Sequence, residues 1–224
     1  MSGTMDKVRA DFDRIALLSS ENNHSDYYLK HLLRQVPNDC TDALEIGCGT
    51  GAFTRLLAAR AKRVTALDFS PNMIELARAH STSFPNIDFQ CADATLWNFP
   101  VERFDCIASI ATLHHLRMKE MLLKMKRALK PQGVLLVLDL FEAEGAFDAL
   151  ASLLAMPVSM SLRLFQTGRL RPPGEVRAAW EEHGRTDSYL TLSQVRKLCA
   201  SLLPEAKVTQ HLLWRYSIVW KKPF

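Results

Sequence analysis

The sequence lacks the marks of several large protein classes. Its five cysteines, Cys40, Cys48, Cys91, Cys106 and Cys199, are odd in number and show no C-x-x-C spacing. A disulfide framework and a cysteine-based metal site are therefore not expected, and a reducing, cytoplasmic setting is. Charge of one sign is scarce in excess: 28 basic against 24 acidic residues leave a formal +4, too small a bias to call for nucleic acid or another polyanion. The opening run MSGTMDKVRADFDRIALL alternates charges instead of setting a basic segment before an apolar one, so no secretory signal is expected. The longest apolar stretch, Phe147 to Phe165, is interrupted by Asp148, Pro157 and Arg163. It reads as a buried or lid helix, with membrane contact the lesser alternative, and no stable membrane anchor is expected. Internal repeats and low-complexity tracts are absent.

What is present is enough apolar content for one sizeable core: 48% of 224 residues, read as a single domain over 1–224. Short runs rich in β-branched residues, at 43–46, 64–67, 87–91, 106–110 and 134–138, alternate with helical patterns, the rhythm of a mostly parallel sheet covered by helices. Met118, Met121, Leu122, Met125 and Leu129 recur at helical spacing before Pro131 and Gly133. Ser70 with Pro71 forms a helix start. Thr191 and Gln194 form a possible capping box ahead of the stripe Val195, Leu198, Cys199, Leu202 and Leu203. Residues 207–222 read as an antiparallel hairpin at the sheet edge. The stretch from about 141 to 190 is too long for a simple crossover and contains Arg171-Pro172-Pro173-Gly174; it reads as an inserted cap.

The most informative segment is Leu44-Glu45-Ile46-Gly47-Cys48-Gly49-Thr50-Gly51, a strand entering a glycine-rich turn and then a helix from Phe53 to Arg60. Glycine serves where the backbone must bend sharply and let a ligand approach the main chain. The order G-x-G-x-G departs from the dinucleotide fingerprint G-x-G-x-x-G, which disfavours a nicotinamide enzyme. Glu45, just before the turn, is ill placed for a pyrophosphate and tolerable beside a cationic amine and sulfonium. Farther on, Ala66-Leu67-Asp68 ends the second strand with a carboxylate whose two oxygens could hold both hydroxyls of a ribose. The same Asp68 could instead cap the helix beginning near Pro71.

The successive segments LEIGCGTG, ALDFSPNMIELA, CADATLWNFP, FDCIASIATLHHL and LKPQGVLLVLDL resemble class I S-adenosylmethionine-dependent methyltransferases, particularly the large group similar to ubiquinone and menaquinone methyltransferases. The resemblance covers roughly 41–140. It implies a doubly wound, Rossmann-like, seven-stranded α/β sheet with an antiparallel C-terminal hairpin, a helical cap at 141–190 between the fifth and sixth strands, and an N-terminal helical lid at 1–40. It implies S-adenosylmethionine as cofactor. Glu45, Gly47, Cys48, Gly49 and Gly51 would line its methionine end, Asp68 its ribose, Phe69 and Met73 the adenine, Asp93 with Ala94 the adenine amino group, and Ile110 the space below the sulfonium. Phe69 and Met73 could equally be core, and Asp93 a turn residue.

In-line methyl transfer asks mainly for alignment and exclusion of water, with a general base where the acceptor is a hydroxyl or activated carbon. His114 and His115, after the fourth strand, are the candidate bases; either could serve packing instead. Tyr27, Tyr28 and Trp180 are candidate acceptor-pocket residues, although Tyr28, Leu32 and Val36 share one helical face and could simply pack. The fourth strand is not followed by an Asn-Pro-Pro-Tyr or Asp-Pro-Pro-Tyr element, which disfavours exocyclic-amine methylation, and no nucleic-acid module is visible. The expected reaction is methylation of a small, rather hydrophobic metabolite. The alternative is a protein that binds the cofactor or its demethylated product without turnover.

Overall fold

The computed structural model describes residues 9–14, 26–144, 174–175, 178, 189–211 and 214–224. Strands β1 (Asp42–Ile46), β2 (Arg63–Asp68), β3 (Ile87–Cys91), β4 (Phe104–Ile110), β5 (Leu129–Leu140), β6 (Lys207–His211) and β7 (Arg215–Lys221) form one sheet in the order β3-β2-β1-β4-β5-β7-β6. The first five are mutually parallel and β7 runs antiparallel between β5 and β6. β1 is buried along its whole length and β5 from Gly133 to Asp139, as strands covered on both faces must be.

Among the described residues, helices α1 (Asp26–Leu33), α2 (Ala52–Ala58), α3 (Pro71–His80), α4 (Met118–Ala128) and α5 (Leu192–Leu202) cover that sheet. On one face Leu29 and Leu32 of α1 and Phe53 and Leu57 of α2 pack on Ala108, Leu136 and Leu138. On the other, Met121, Leu122 and Met125 of α4 and Val195 and Cys199 of α5 pack on Ile107, Leu135, Val137, Ile218 and Trp220. Adjacent residues of β4 and β5 thus serve opposite layers.

Local chemistry sets the helix starts. Ser70 Oγ accepts from Met73 N at 3.1 Å with Pro71 following it, and the Thr191–Gln194 capping box is complete in both directions. The expected break at Pro131 and Gly133 proves to be a bulge inside β5: Leu129 already pairs with Phe104, the register shifts, and pairing resumes from Cys106 with Val134. Gln132 there takes φ +65°.

The ends of the expected cap come together. Phe141 N donates to Trp214 O (3.2 Å) and Glu142 N to Leu190 O (3.1 Å), Glu142 bridges to Thr191, and Ser193 Oγ donates to Glu144 Oε2 (2.8 Å). Phe147 to Phe165 and Trp180 lie outside the described residues. No helix among the described residues is long and apolar enough to cross a membrane.

Candidate functional site

The strand order reverses between β1 and β4, and such a switch point opens a crevice at the carboxyl ends of the strands. The turn that leaves β1 there carries Gly47, Gly49 and Gly51 at φ of +73°, +51° and +80°, values that a Cβ strongly disfavours. The three differ in surroundings. A Cβ on Gly47 would meet Thr112 Oγ1 at 2.0 Å, and one on Gly51 would touch Ala77, Arg55 and Phe89 at 3.3 Å. A Cβ on Gly49 would meet nothing within 4 Å. Gly47 is therefore glycine because of the protein, whereas Gly49 borders open space.

Asp68 ties this turn to the next. Its Oδ2 accepts from Gly49 N (2.8 Å) and its Oδ1 from Ser70 N (3.0 Å). Ser70, and not Asp68, caps α3. Burial raises the Asp68 pKa, against the opposing pull of the Ser70, Gly49 and Phe69 N–H groups. Glu45 lies beneath the turn, 1% exposed, with Thr54 Oγ1 donating to its Oε2 at 2.5 Å. Its carboxyl is pushed up to about 8, chiefly by burial, with Asp68 adding to the rise and Thr54 and Arg55 opposing it. Cys48 is buried and its thiol is pushed well up by desolvation, as suits a packing residue.

Among the residues expected near an adenine, Met73 and Ala94 are buried and Phe69 is partly exposed. Asp93 Oδ1 accepts from both Thr95 N and Thr95 Oγ1 at 2.7 Å, so it does secure its own turn; Oδ2 takes part in neither bond. Ile110, partly exposed, ends β4.

Residues 9–14, a helical turn, lie against this region. Arg9 sits over the Phe69 ring (5.5 Å), Ser70 Oγ donates to Asp13 Oδ1 (2.5 Å), Asn72 Nδ2 donates to Asp13 O (3.2 Å), and Phe12 meets His115 edge-on at 5.4 Å. Tyr28 lies elsewhere: it packs with α1 and its ring lies 4.8 Å from His211. Of Tyr27 the backbone alone is described.

The two histidines lie against each other, ring centroids 3.8 Å apart, and differ in their other neighbours. After β4 a 3-10 turn, Leu113–His115, directs His114 to Asp139: Oδ1 lies 2.6 Å from Nδ1, and Oδ2 accepts from His114 N at 2.9 Å. Both side chains are buried, 6% and 1% exposed, and Tyr189 stacks at 5.0 Å from the His114 ring. A cavity of about 560 Å³ opens beside them, with Leu113, His114, Leu140, Leu190, Leu198 and Tyr216 among its lining. Its volume is that of a small-molecule site. Sequence reasoning missed Asp139, which ends the apolar run VLLVLDL; a lone acid closing a buried strand was the available signal. Arg215, Thr54, Thr112 and Asp13 carried no comparable signal.

Comparison with known proteins agrees with this arrangement. Demethylmenaquinone methyltransferase of Tropheryma whipplei is 35% identical over 99 residues, 44% of this chain and 41% of that protein. Ubiquinone biosynthesis O-methyltransferase of Coxiella burnetii is 32% identical over 109 residues, 48% of this chain and 47% of that protein. The chain thus spans less than half the length of these curated relatives. In fold it resembles the N-methyltransferase NodS of Bradyrhizobium japonicum in complex with S-adenosyl-L-homocysteine, with a TM-score of 0.66 at 19% identity, covering 97% of this chain and 99% of that one. Residues 44–137, from β1 to β5, match the family described as a methyltransferase domain.

Proposed function

We propose that the chain is an S-adenosylmethionine-dependent methyltransferase acting on a small acceptor with an apolar body. The observation that carries this reading is the open face of Gly49 at the β1/β4 switch point with the Asp68 carboxylate 2.8 Å from its N–H. That cradle would be obstructed by a side chain, and it presents acceptor oxygens where a ribose diol needs them. When bound, the cofactor supplies an electrophilic methyl carbon on a sulfonium.

The chain's own residues do the rest. Gly47, Gly49 and Gly51 let the main chain approach the ligand, with Cys48 and Glu45 packed beneath. Asp68 would hold the ribose hydroxyls, Phe69, Met73, Asp93 and Ala94 would hold the adenine, and Ile110 would lie near the reacting carbon. Residues 9–14, already in contact with Phe69, Ser70 and His115, exclude water there. Asp139 accepts from His114 Nδ1–H, fixing the tautomer that leaves Nε2 as proton acceptor. His114 is the proposed general base, which would take the proton the acceptor loses as the new bond to the methyl carbon forms and the carbon–sulfur bond breaks. His115, against Phe12, is left a packing role. The mostly apolar cavity beside His114 holds the acceptor.

The test is label transfer. Purified chain with methyl-labelled S-adenosylmethionine and fractionated cell extract should yield labelled small molecules. Asp68→Ala should abolish this by losing cofactor affinity, and His114→Ala should abolish it while still binding S-adenosylhomocysteine. Tight binding of that product with no label transferred to any fraction would favour a non-catalytic binder and refute the enzyme.

A further inference from the structure

Among the described residues, the buried side-chain nitrogens that lack a hydrogen-bond partner are Nε and Nη1 of Arg215, in a residue 8% exposed. A guanidinium is almost never buried without an anion, because desolvating it is costly and its five donors must be satisfied. The nearest fixed carboxylate does not serve. Asp139 already accepts from His114 N, His114 Nδ1 and Leu140 N, and it acts on Arg215 only through space, together with Tyr28 and Tyr189.

The location gives the orphan guanidinium a meaning. Arg215 opens β7 and pairs in register with Leu140, at the carboxyl end of β5. Its chain neighbour Tyr216 and its register partner Leu140 both line the cavity beside His114, as do Arg117 and Lys119, whereas Arg215 itself is buried and not among the lining residues. Asp139 and Tyr189, two of the groups acting on its charge, are also the groups that contact His114. His211, which pairs in register with Arg215 from β6, bonds Ser217 Oγ at 2.7 Å and lies against Tyr28, and it supplies no anion. Each two-pronged edge of a guanidinium, Nε with Nη2 or Nη1 with Nη2, includes one of the unpaired nitrogens and matches the spacing of an oxyanion.

We propose that Arg215 is the docking group for an oxyanion carried by the methyl acceptor, so that the acceptor is an organic acid, a carboxylate or phosphate on an apolar body. This rests on the transferase reading above and narrows its substrate class. The acid would neutralise Arg215 while its apolar portion enters the cavity at His114.

The experiment uses the full chain saturated with S-adenosylhomocysteine and titrated with benzoate, phenyl phosphate or neutral benzamide. One or both oxyanions should bind at least about tenfold more tightly than benzamide, and the two arms separate carboxylate from phosphate. Arg215→Met should erase that preference, a loss of about ten- to a hundredfold, with affinity for S-adenosylhomocysteine unchanged. Arg215→Lys, which keeps charge and loses the fork, should be intermediate and serves if the methionine variant does not fold. Equal binding of benzamide and both oxyanions, no binding of any, or a preference that survives in both variants would overturn the proposal. Failure of S-adenosylhomocysteine itself to bind would instead bring down the transferase reading, and this inference with it.

Discussion

Replacing Gly49 by alanine separates a residue needed by the protein from one needed by its ligand. In the free chain the new Cβ meets nothing within 4 Å, so the cost is the left-handed backbone at φ +51°, about 1–2 kcal/mol for a non-glycine residue. For a chain of this size that lowers the thermal midpoint by a few degrees. The same methyl group projects into the space assigned to the cofactor. Overpacking a fitted site costs about 1–3 kcal/mol, which corresponds to a Kd for S-adenosylhomocysteine roughly 5- to 150-fold weaker. Gly47→Ala is the contrasting control: its Cβ would lie 2.0 Å from Thr112 Oγ1, so it should destabilise the free chain more, and Thr112→Ala in the same chain should recover part of the loss. Calorimetric titration and thermal melting of the four proteins check both halves. Gly49→Ala with wild-type affinity and an intact fold would refute the assignment of that space.

Three further outcomes are expected. Glu45 has a folded pKa of about 8 against an ordinary 4.5, so its contribution to stability is full below the ordinary value and is lost as pH rises through about 8. Glu45→Gln should remove that slope, on the order of a few kcal/mol, and make the free chain more stable than wild type in alkaline urea titrations; a parallel pH profile would count against it. Asp139→Asn should lower kcat by roughly 10²–10⁴ and leave S-adenosylhomocysteine affinity unchanged in paired turnover and binding assays. At the opposite end of the sheet, burial would raise the Asp105 pKa, but Lys130 and the N–H groups of Asp42 and Thr41 hold it below the ordinary value. Its contribution is present above the ordinary carboxylate pKa and disappears as pH falls through the depressed one. Asp105→Asn should therefore cost about 1–3 kcal/mol at neutral pH and nothing in strong acid, as read by urea unfolding.

Much of the fold was legible because local signals and burial agreed. The five parallel strands fell where β-branched runs lay, Ser70-Pro71 and Thr191/Gln194 capped as their chemistry dictates, and the glycine spacing marked the turn. Other features were not legible, for physical reasons. Asp139 and Arg215 act through partners on other elements, so no periodicity announces them. The docking of residues 9–14 on Phe69 and Ser70 is tertiary and leaves no local trace. Leu129 belongs to β5 although Pro131 and Gly133 follow, because a bulge absorbs them.

The clasp formed by Phe141 and Glu142 with Trp214, Leu190 and Thr191 brings two distant points of the chain together. A segment whose two ends are already fastened together can change length at little entropic penalty, about 0.6 kcal/mol for each doubling. Replacement of the residues between Glu144 and Tyr189 is therefore expected to leave the sheet and its glycine turn undisturbed, which S-adenosylhomocysteine titration of such a variant would check.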